Sequence, residues 1–121
     1  MHRIPAEAYE YGLTAIRDRM HAKHYAMLRT QYEAPERTMT APQLAMAVGY
    51  TDFRVVNAQY GRMGHLLAEA MRQWPDKDRS DRYMWWSVLS SGASSDEGFR
   101  CTMRRALAYA LETLGIVDSP E

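Results

Sequence analysis

The stretch Thr40–Trp74, TAPQLAMAVGYTDFRVVNAQYGRMGHLLAEAMRQW, is the feature that most constrains the fold of this chain. It predicts a short helix, a tight turn and a longer amphipathic helix. Two helices joined by a short glycine-containing turn are typical of a helix-turn-helix, whose second helix commonly lies against DNA. We expect Thr40 to cap the first helix and Gly49 to end it in the left-handed conformation. Thr51 or Asp52 would then cap the second helix.

The predicted second helix separates apolar from polar residues. One side of its helical wheel carries Phe53, Val56, Tyr60, Met63, Leu67, Ala70, Met71 and Trp74. The other side carries Arg54, Ala58, Arg62, His65, Glu69 and Arg72. We therefore expect the first side to lie in the core and the second to face solvent or a partner. Gly61 and Gly64 lie off the apolar side, where they would permit close approach of a partner or simply loosen the helix.

The flanking segments predict further helices and a hairpin. Helices are expected from Pro5 to Met20 and from His21 to Glu33, unless the two form one bent helix, and a brief strand is expected at Thr38–Met39. Gly12 in the first helix would mark a close contact between helices. The aromatic and β-branched run Tyr83–Leu89 predicts a strand with its return strand at Phe99–Met103.

The end of the chain completes the predicted fold. The Ser-rich segment Ser90–Gly98 is expected to be a flexible loop, longer than a two-residue turn. A last helix, Arg104–Gly115, would direct three leucines inward: Leu107, Leu111 and Leu114. This order predicts a mainly α fold with a small β-hairpin (α+β), a winged helix-turn-helix-like single domain over residues 1–121. Its parts would be N-terminal helices (1–34), helix-turn-helix (40–74), hairpin (83–103) and C-terminal helix (104–115).

Composition is that of an ordinary globular domain. Apolar residues make up 46% of the 121 residues, and 15 basic side chains balance 15 acidic ones. Zero net charge argues against a protein that coats nucleic acid, because such binding is mostly phosphate neutralisation. Most of the basic residues are Arg, which suits bidentate recognition of phosphate and guanine, although a GC-rich genome favours Arg in any protein.

Several classes of function are not indicated. The single cysteine, Cys101, excludes an internal disulfide and points to the cytoplasm. No apolar run approaches the roughly 18 residues that span a bilayer, and no signal peptide is expected. No Gly-rich phosphate loop, G-x-S-x-G, H-E-x-x-H or carboxylate cluster is present, so we expect neither an enzyme nor a cofactor. Cys101 next to Arg100 is more typical of a buried structural cysteine than of an activated thiol.

Histidine spacing offers a weak metal signal. His21 and His24 could face one metal ion from a helix, but zinc needs three or four ligands. The other candidates, His65 and Cys101, are scattered through the chain. We therefore predict no metal site.

The beginning of the second helix is the candidate site for DNA. Arg pairs with guanine, and Asn or Gln with adenine, through two hydrogen bonds that are worth roughly 1–3 kcal/mol of discrimination. The candidate residues are Thr51, Arg54, Asn57, Gln59 and Arg62. The alternative is a solvated helix face that happens to carry these side chains.

Acidic residues favour a second hypothesis, a protein-interaction module such as a phage or defence-system adaptor or inhibitor. Asp96 and Glu97 lie at the expected hairpin tip, where they have the wrong sign for phosphate. The segment from Ala106 to Glu121 has acidic but no basic residues. In a strand, Trp85 and Trp86 would point to opposite faces, with one ring in the core and the other covered by a helix or exposed as an interface anchor.

Three short segments of the helix-turn-helix, LAMAVGY, RVVNAQYG and LLAEAM, and the later CTMRRALAYALETLGIV carry a resemblance. They resemble a small bacterial helix-turn-helix-like module associated with proteins that carry HNH nuclease domains. The resemblance implies recognition of nucleic acid near restriction or phage-defence functions. The nuclease does not carry over, because its site needs placed His and Asn residues and only Asn57 is available, inside a helix. The expected partner is double-stranded DNA, with a homodimer if the target is palindromic, or else a protein.

Overall fold

The computed structural model describes residues 3–119, which form five α-helices and three β-strands. Helix α1 spans Ala6–Ala15 and α2 spans Ala22–Glu33, with a 3-10 turn at Arg17–Arg19 between them. The two are therefore separate helices, and α1 ends before the expected Met20. Met20 is still buried.

Helix α3, Ala41–Val48, has the ends that its sequence predicts. The Thr40 hydroxyl accepts a hydrogen bond from the Gln43 N–H at 3.3 Å, and the Gln43 side chain accepts one from the Thr40 N–H at 2.9 Å. Gly49 follows α3 with φ of 86°, the left-handed conformation that glycine adopts without steric cost. Both predictions are confirmed, because capping depends on residues that are neighbours in sequence.

Helix α4, Phe53–Met71, is 19 residues long. Asp52 caps it by accepting a hydrogen bond from the Arg54 N–H at 2.9 Å. The helix ends because Arg72 takes a left-handed conformation with φ of 55°. The predicted extension to Trp74 is therefore wrong.

Only the middle of the apolar side of α4 is buried. Its buried residues, as predicted, include Val56, Tyr60, Met63 and Leu67. Phe53 and Trp74, at the two ends, are each 47% exposed, so the prediction of a continuous buried stripe is wrong there. Helix α5, Arg105–Thr113, shows the same effect, since Leu114 just beyond it is exposed and not inward as predicted. Periodicity identifies a side of a helix, but neighbouring elements decide how far along that side is covered.

The hairpin starts further along the chain than predicted. Its first strand, β2, is Ser90–Ser95 and its second, β3, is Gly98–Met103. The strands pair antiparallel across a turn of Asp96 and Glu97. The expectation of a long flexible loop over Ser90–Gly98 is therefore wrong.

The aromatic run before the hairpin is not a strand. Trp85–Val88 forms a 3-10 helix that packs on α4, which corrects the strand predicted at Tyr83–Leu89. A Cβ atom on Gly64 of α4 would lie 2.0 Å from the carbonyl oxygen of Trp85. The segment with the bulky side chains therefore packs against α4 and does not pair with β3. The Ser-rich β2 forms the main-chain pairing with β3 in its place.

Strand β1, Thr38–Thr40, confirms the brief strand expected before α3. It pairs antiparallel with β3, so the sheet order is β1-β3-β2. Alternate residues of β3 face one side of the sheet: Phe99, Cys101 and Met103. Met103 is buried by the core, whereas Phe99 is 47% exposed. This side of the sheet is therefore covered at one end and open at the other.

One hydrophobic core joins the five helices and the sheet, which makes the fold α+β. Gly12 confirms its expected role, because a Cβ atom there would lie 2.9 Å from Met71 and 3.0 Å from Leu67. Within residues 3–119, no helix is long and apolar enough to cross a bilayer. Glu121, at the acidic end of the chain, lies outside the described residues.

Candidate functional site

The polar side of α4 is exposed over its whole length, as the helical wheel predicts. Its exposed residues are Arg54, Ala58, Arg62, His65, Glu69 and Arg72. The hairpin turn lies beside the first turns of the helix, since Glu97, Phe53 and Asn57 line one recess. The beginning of α4 is thus an accessible surface with the hairpin next to it.

An ion pair occupies the first turn of α4. Arg54 Nη2 lies 2.9 Å from Asp52 Oδ2, and Arg54 Nε donates to the same carboxylate at 3.1 Å and 3.2 Å. Hydrogen bonds from the Arg54 side chain and main chain hold the pKa of the Asp52 carboxyl below its usual value. The Arg54 side chain remains 81% exposed. Its charge is therefore accessible but shared with a carboxylate.

The structure exposes most of the predicted DNA-contacting residues. Thr51 precedes α4 in the turn, and Asn57 and Arg62 lie on the helix, all three exposed. Gln59 differs, because its Oε1 atom lies 2.7 Å from His24 Nε2 on α2. Its side chain is used to join α2 to α4, so we leave Gln59 out of the exposed group.

His24 is buried where α2 meets α4. Its Nδ1 atom accepts a hydrogen bond from the His21 N–H at 3.2 Å, so in the neutral ring Nε2 carries the proton that faces Gln59. Burial lowers the pKa of His24 below its ordinary value. The ring of His21 stacks on that of His24 at 3.7 Å. The pair therefore serves packing between helices.

The remaining metal candidates lie apart from this pair. His65 stacks on Trp85 with ring centroids 4.0 Å apart, and its Nε2 lies 2.6 Å from Glu69 Oε1. Burial raises the pKa of the Cys101 thiol, which keeps it in the weakly reactive neutral form. Among residues 3–119, no three metal-ligating side chains lie together.

A partly open cavity of ≈ 410 Å³ lies between α4 and the open end of the sheet. Four aromatic residues line the side of the cavity opposite α4: Tyr83, Trp85, Trp86 and Phe99. Trp86 and Phe99 meet edge to face, with centroids 5.2 Å apart. A Cβ atom on Gly92 of β2 would lie 2.3 Å from the Phe99 ring and 2.8 Å from Trp86. Because Gly92 has no side chain, the rings of Phe99 and Trp86 have room to contact each other beside it.

Helix α4 forms the opposite wall of the cavity with Val56, Asn57, Tyr60 and Gly61. Asn57 is exposed, and its amide makes no side-chain hydrogen bond within residues 3–119. A Cβ atom on Gly61 would meet nothing within 4 Å. This wall thus offers a free amide and an open position side by side.

A buried hydrogen-bond network closes the inner end of the cavity. The Tyr60 hydroxyl donates to Gln31 Oε1 at 2.6 Å and lies 2.5 Å from Ser90 Oγ. Gln31 Nε2 in turn donates to Ser90 Oγ and to the Cys101 carbonyl, each at 3.1 Å. Burial raises the pKa of Tyr60, so its hydroxyl stays protonated. The network fixes α2, α4 and the sheet around the cavity.

The hairpin turn adds acidic charge at the outer edge. Asp96 and Glu97 are both exposed, as predicted for the tip. Glu97 lines a neighbouring recess of ≈ 310 Å³ that shares Asn57, Phe99 and Cys101 with the cavity. The two spaces therefore lie side by side as a groove with its negative charge at the hairpin end.

The sequence does not predict this groove. A strand at this position would direct Trp85 and Trp86 to opposite faces, with an exposed ring beside Tyr83 as an interface anchor. In the 3-10 helix both rings are partly buried and both line the cavity. The density of aromatic residues at 83–86 was the available signal, and only the fold shows which way the rings turn.

Comparison of the chain with protein-family models, curated proteins and solved structures finds no match. The resemblance to modules associated with HNH nucleases therefore stays a prediction.

Proposed function

We propose that this chain is a non-catalytic, cytoplasmic DNA-binding protein that contacts double-stranded DNA with α4 of a winged helix-turn-helix. The observation that carries the proposal is the exposed beginning of α4, where Arg54, Asn57 and Arg62 lie beside the hairpin. The order helix, strand, two helices and hairpin supports a winged-helix arrangement, in which the second helix enters the major groove. A role in restriction or phage defence would agree with the resemblance of the sequence.

The charges of this surface predict weak DNA binding that depends only modestly on salt concentration. Each phosphate neutralised by Lys or Arg adds about 0.9 to the slope of log affinity against log salt. Arg62 is exposed, whereas Arg54 shares its charge with Asp52. We therefore expect a shallow salt slope, typical of a protein with few phosphate contacts.

Replacing Arg62 tests the proposal directly. Binding of a fluorescent random-sequence duplex, measured by anisotropy over a salt series, should weaken in Arg62→Ala and its salt slope should fall by about 1. Arg29→Ala is the matched control, since Arg29 is an exposed Arg on α2 and not on the proposed DNA-binding helix. Absence of salt-dependent binding by the unaltered protein at low salt would overturn the proposal.

Replacing Asp52 tests the role of the ion pair. Asp52→Asn keeps a good helix cap but removes the carboxylate that holds Arg54. If α4 meets DNA, this variant should bind duplex several-fold more tightly, because Arg54 becomes available to phosphate or guanine. If the variant has equal or weaker affinity for duplex and unchanged thermal stability, the first turn of α4 is not part of the DNA-binding surface.

The acidic hairpin turn favours a second candidate, a protein-interaction module on the same scaffold. Asp96 and Glu97 lie next to the groove, where they would repel phosphate and attract a basic protein surface. Under this alternative, the unaltered protein should retain a specific partner in pull-downs, and Asp96→Lys with Glu97→Lys should release it. The same variant should instead strengthen DNA binding if α4 contacts duplex.

A further inference from the structure

The cavity beside α4 has the character of a ligand site. Its volume of ≈ 410 Å³ falls within the range of about 300–1,000 Å³ typical of small-molecule pockets. Tyr83, Trp86 and Phe99 are among its lining residues, and the rings of Trp86 and Phe99 meet edge to face. Aromatic walls of this kind favour a planar aromatic ligand, because aromatic rings attract one another in stacked and edge-to-face arrangements.

The interior selects against anionic ligands. None of the described residues that line the cavity is acidic or basic. A phosphate group placed inside would lose its hydration without gaining an opposite charge. The available polar group is instead the unpartnered amide of Asn57, because the Tyr60 hydroxyl and the Gln31 amide are already hydrogen-bonded to each other at the inner end. A neutral amide matches the uncharged hydrogen-bonding edge of a heterocycle.

The position of the cavity indicates where such a ring would come from. Asn57 lies both on the exposed beginning of α4 and in the cavity wall, and Arg62 follows the cavity-lining Gly61 on the helix. A nucleotide chain held by Arg62 would therefore have its bases beside the cavity opening. We propose that the cavity receives a single nucleobase swung out of the duplex that α4 contacts. This inference rests on the proposed DNA binding and extends it.

Such a site would bind a base by stacking against an aromatic ring and by hydrogen bonds to one edge of the base. Trp86 and Phe99 meet at a right angle, so the extruded base would stack on one of the two rings and meet the edge or face of the other at that angle. The Asn57 amide, which can both donate and accept, would pair with the edge of the base. Extrusion costs least for a mismatched base, because its pairing is already lost. The site therefore predicts a preference for a duplex that contains one mismatch over the same duplex fully paired.

Gly61 allows the cavity to be blocked without disturbing the fold. A Cβ atom there meets nothing within 4 Å, so Gly61→Leu should be tolerated and should fill the opening. Gly61→Ala is the matched control, since it changes helix propensity in the same direction but adds only a methyl group. Affinities of the full chain for the paired and mismatched duplexes are measured by anisotropy at one low salt concentration.

The unaltered protein and Gly61→Ala should prefer the mismatched duplex by roughly tenfold, given the cost of extruding a paired base. Gly61→Leu should lose that preference and keep its affinity for the paired duplex. Equal affinities for the two duplexes, or a preference that survives in Gly61→Leu, would overturn the base site and leave DNA binding by α4 intact. No binding to either duplex would overturn both.

A second variant tests the stacking wall. Phe99 is 47% exposed and lies on the hairpin, outside the proposed phosphate contacts. Phe99→Ala should reduce affinity for the mismatched duplex by roughly fivefold or more, the effect of losing one base–aromatic stack, and leave the paired duplex unaffected. An equal loss for both duplexes would show that Phe99 contacts the duplex itself and would contradict a base-specific wall.

Discussion

At the scale of single residues, two glycines three positions apart on α4 have opposite surroundings. Gly64 is buried, and a Cβ atom there would lie 2.0 Å from the carbonyl oxygen of Trp85. A Cβ atom on Gly61 would meet nothing within 4 Å. The sequence shows both simply as glycines off the apolar stripe, and only the position of Trp85 distinguishes them.

The same substitution should therefore have opposite effects at these positions. Gly64→Ala should lower the free energy of unfolding by about 3 kcal/mol or more, because main-chain atoms would have to move. Gly61→Ala should raise it by roughly 0.5–1 kcal/mol through helix propensity. Urea unfolding followed by circular dichroism measures both. Equal effects of the two substitutions would contradict the packing of Trp85 on α4.

At the scale of secondary-structure elements, the Gln31–Tyr60–Ser90 network joins α2, α4 and β2. Tyr60→Phe keeps the ring but leaves the buried Gln31 Oε1 without its donor. We expect a loss of about 1–3 kcal/mol of unfolding free energy, the usual cost of an unsatisfied buried group. Tyr109→Phe is the control, since Tyr109 is 53% exposed on α5 and should change stability by less than about 0.5 kcal/mol. A neutral Tyr60→Phe would show that the network does not hold these elements together.

At the scale of the whole molecule, buried titratable groups limit the pH range of stability. The pKa of His24 is lowered from 6.5 by burial, so below pH 6.5 the unfolded chain takes up the proton first and stability falls. Burial raises the pKa of Tyr9 from 10.0 to about 12 and raises that of Tyr60 as well. The unfolded chain therefore loses these protons first above pH 10, and stability falls again.

Burial also raises the pKa of the Cys101 thiol from 9.0, so the unfolded chain loses that proton first above about pH 9. Unfolding free energies measured by urea titration should thus be highest between about pH 6.5 and 9. Tyr9→Phe removes one titrating hydroxyl, which donates to the Val88 carbonyl at 2.5 Å. This variant should be less stable at pH 7 and should show a smaller fall between pH 10 and 12. If NMR titration gives His24 a pKa at or above 6.5, the predicted loss of stability below pH 6.5 is contradicted.

The sequence by itself determined the features that depend on near neighbours. Thr40 with Gln43 and the left-handed Gly49 set the ends of α3, because capping bonds join residues a few positions apart. Helical periodicity likewise identified the buried middle and the exposed side of α4. It also identified Arg54, Asn57 and Arg62 as accessible residues of that helix.

Only the tertiary structure decided the features that depend on distant neighbours. Trp85 and Trp86 have the composition of a strand, but burying them against α4 gives a 3-10 helix and moves the hairpin to the Ser-rich segment. The sequence predicts that Gln59 is free to contact DNA, but its side chain is hydrogen-bonded to His24 of α2. The cavity likewise exists only where α4, the 3-10 helix and the sheet meet. Such contacts join residues far apart in the chain, so no local pattern in the sequence encodes them.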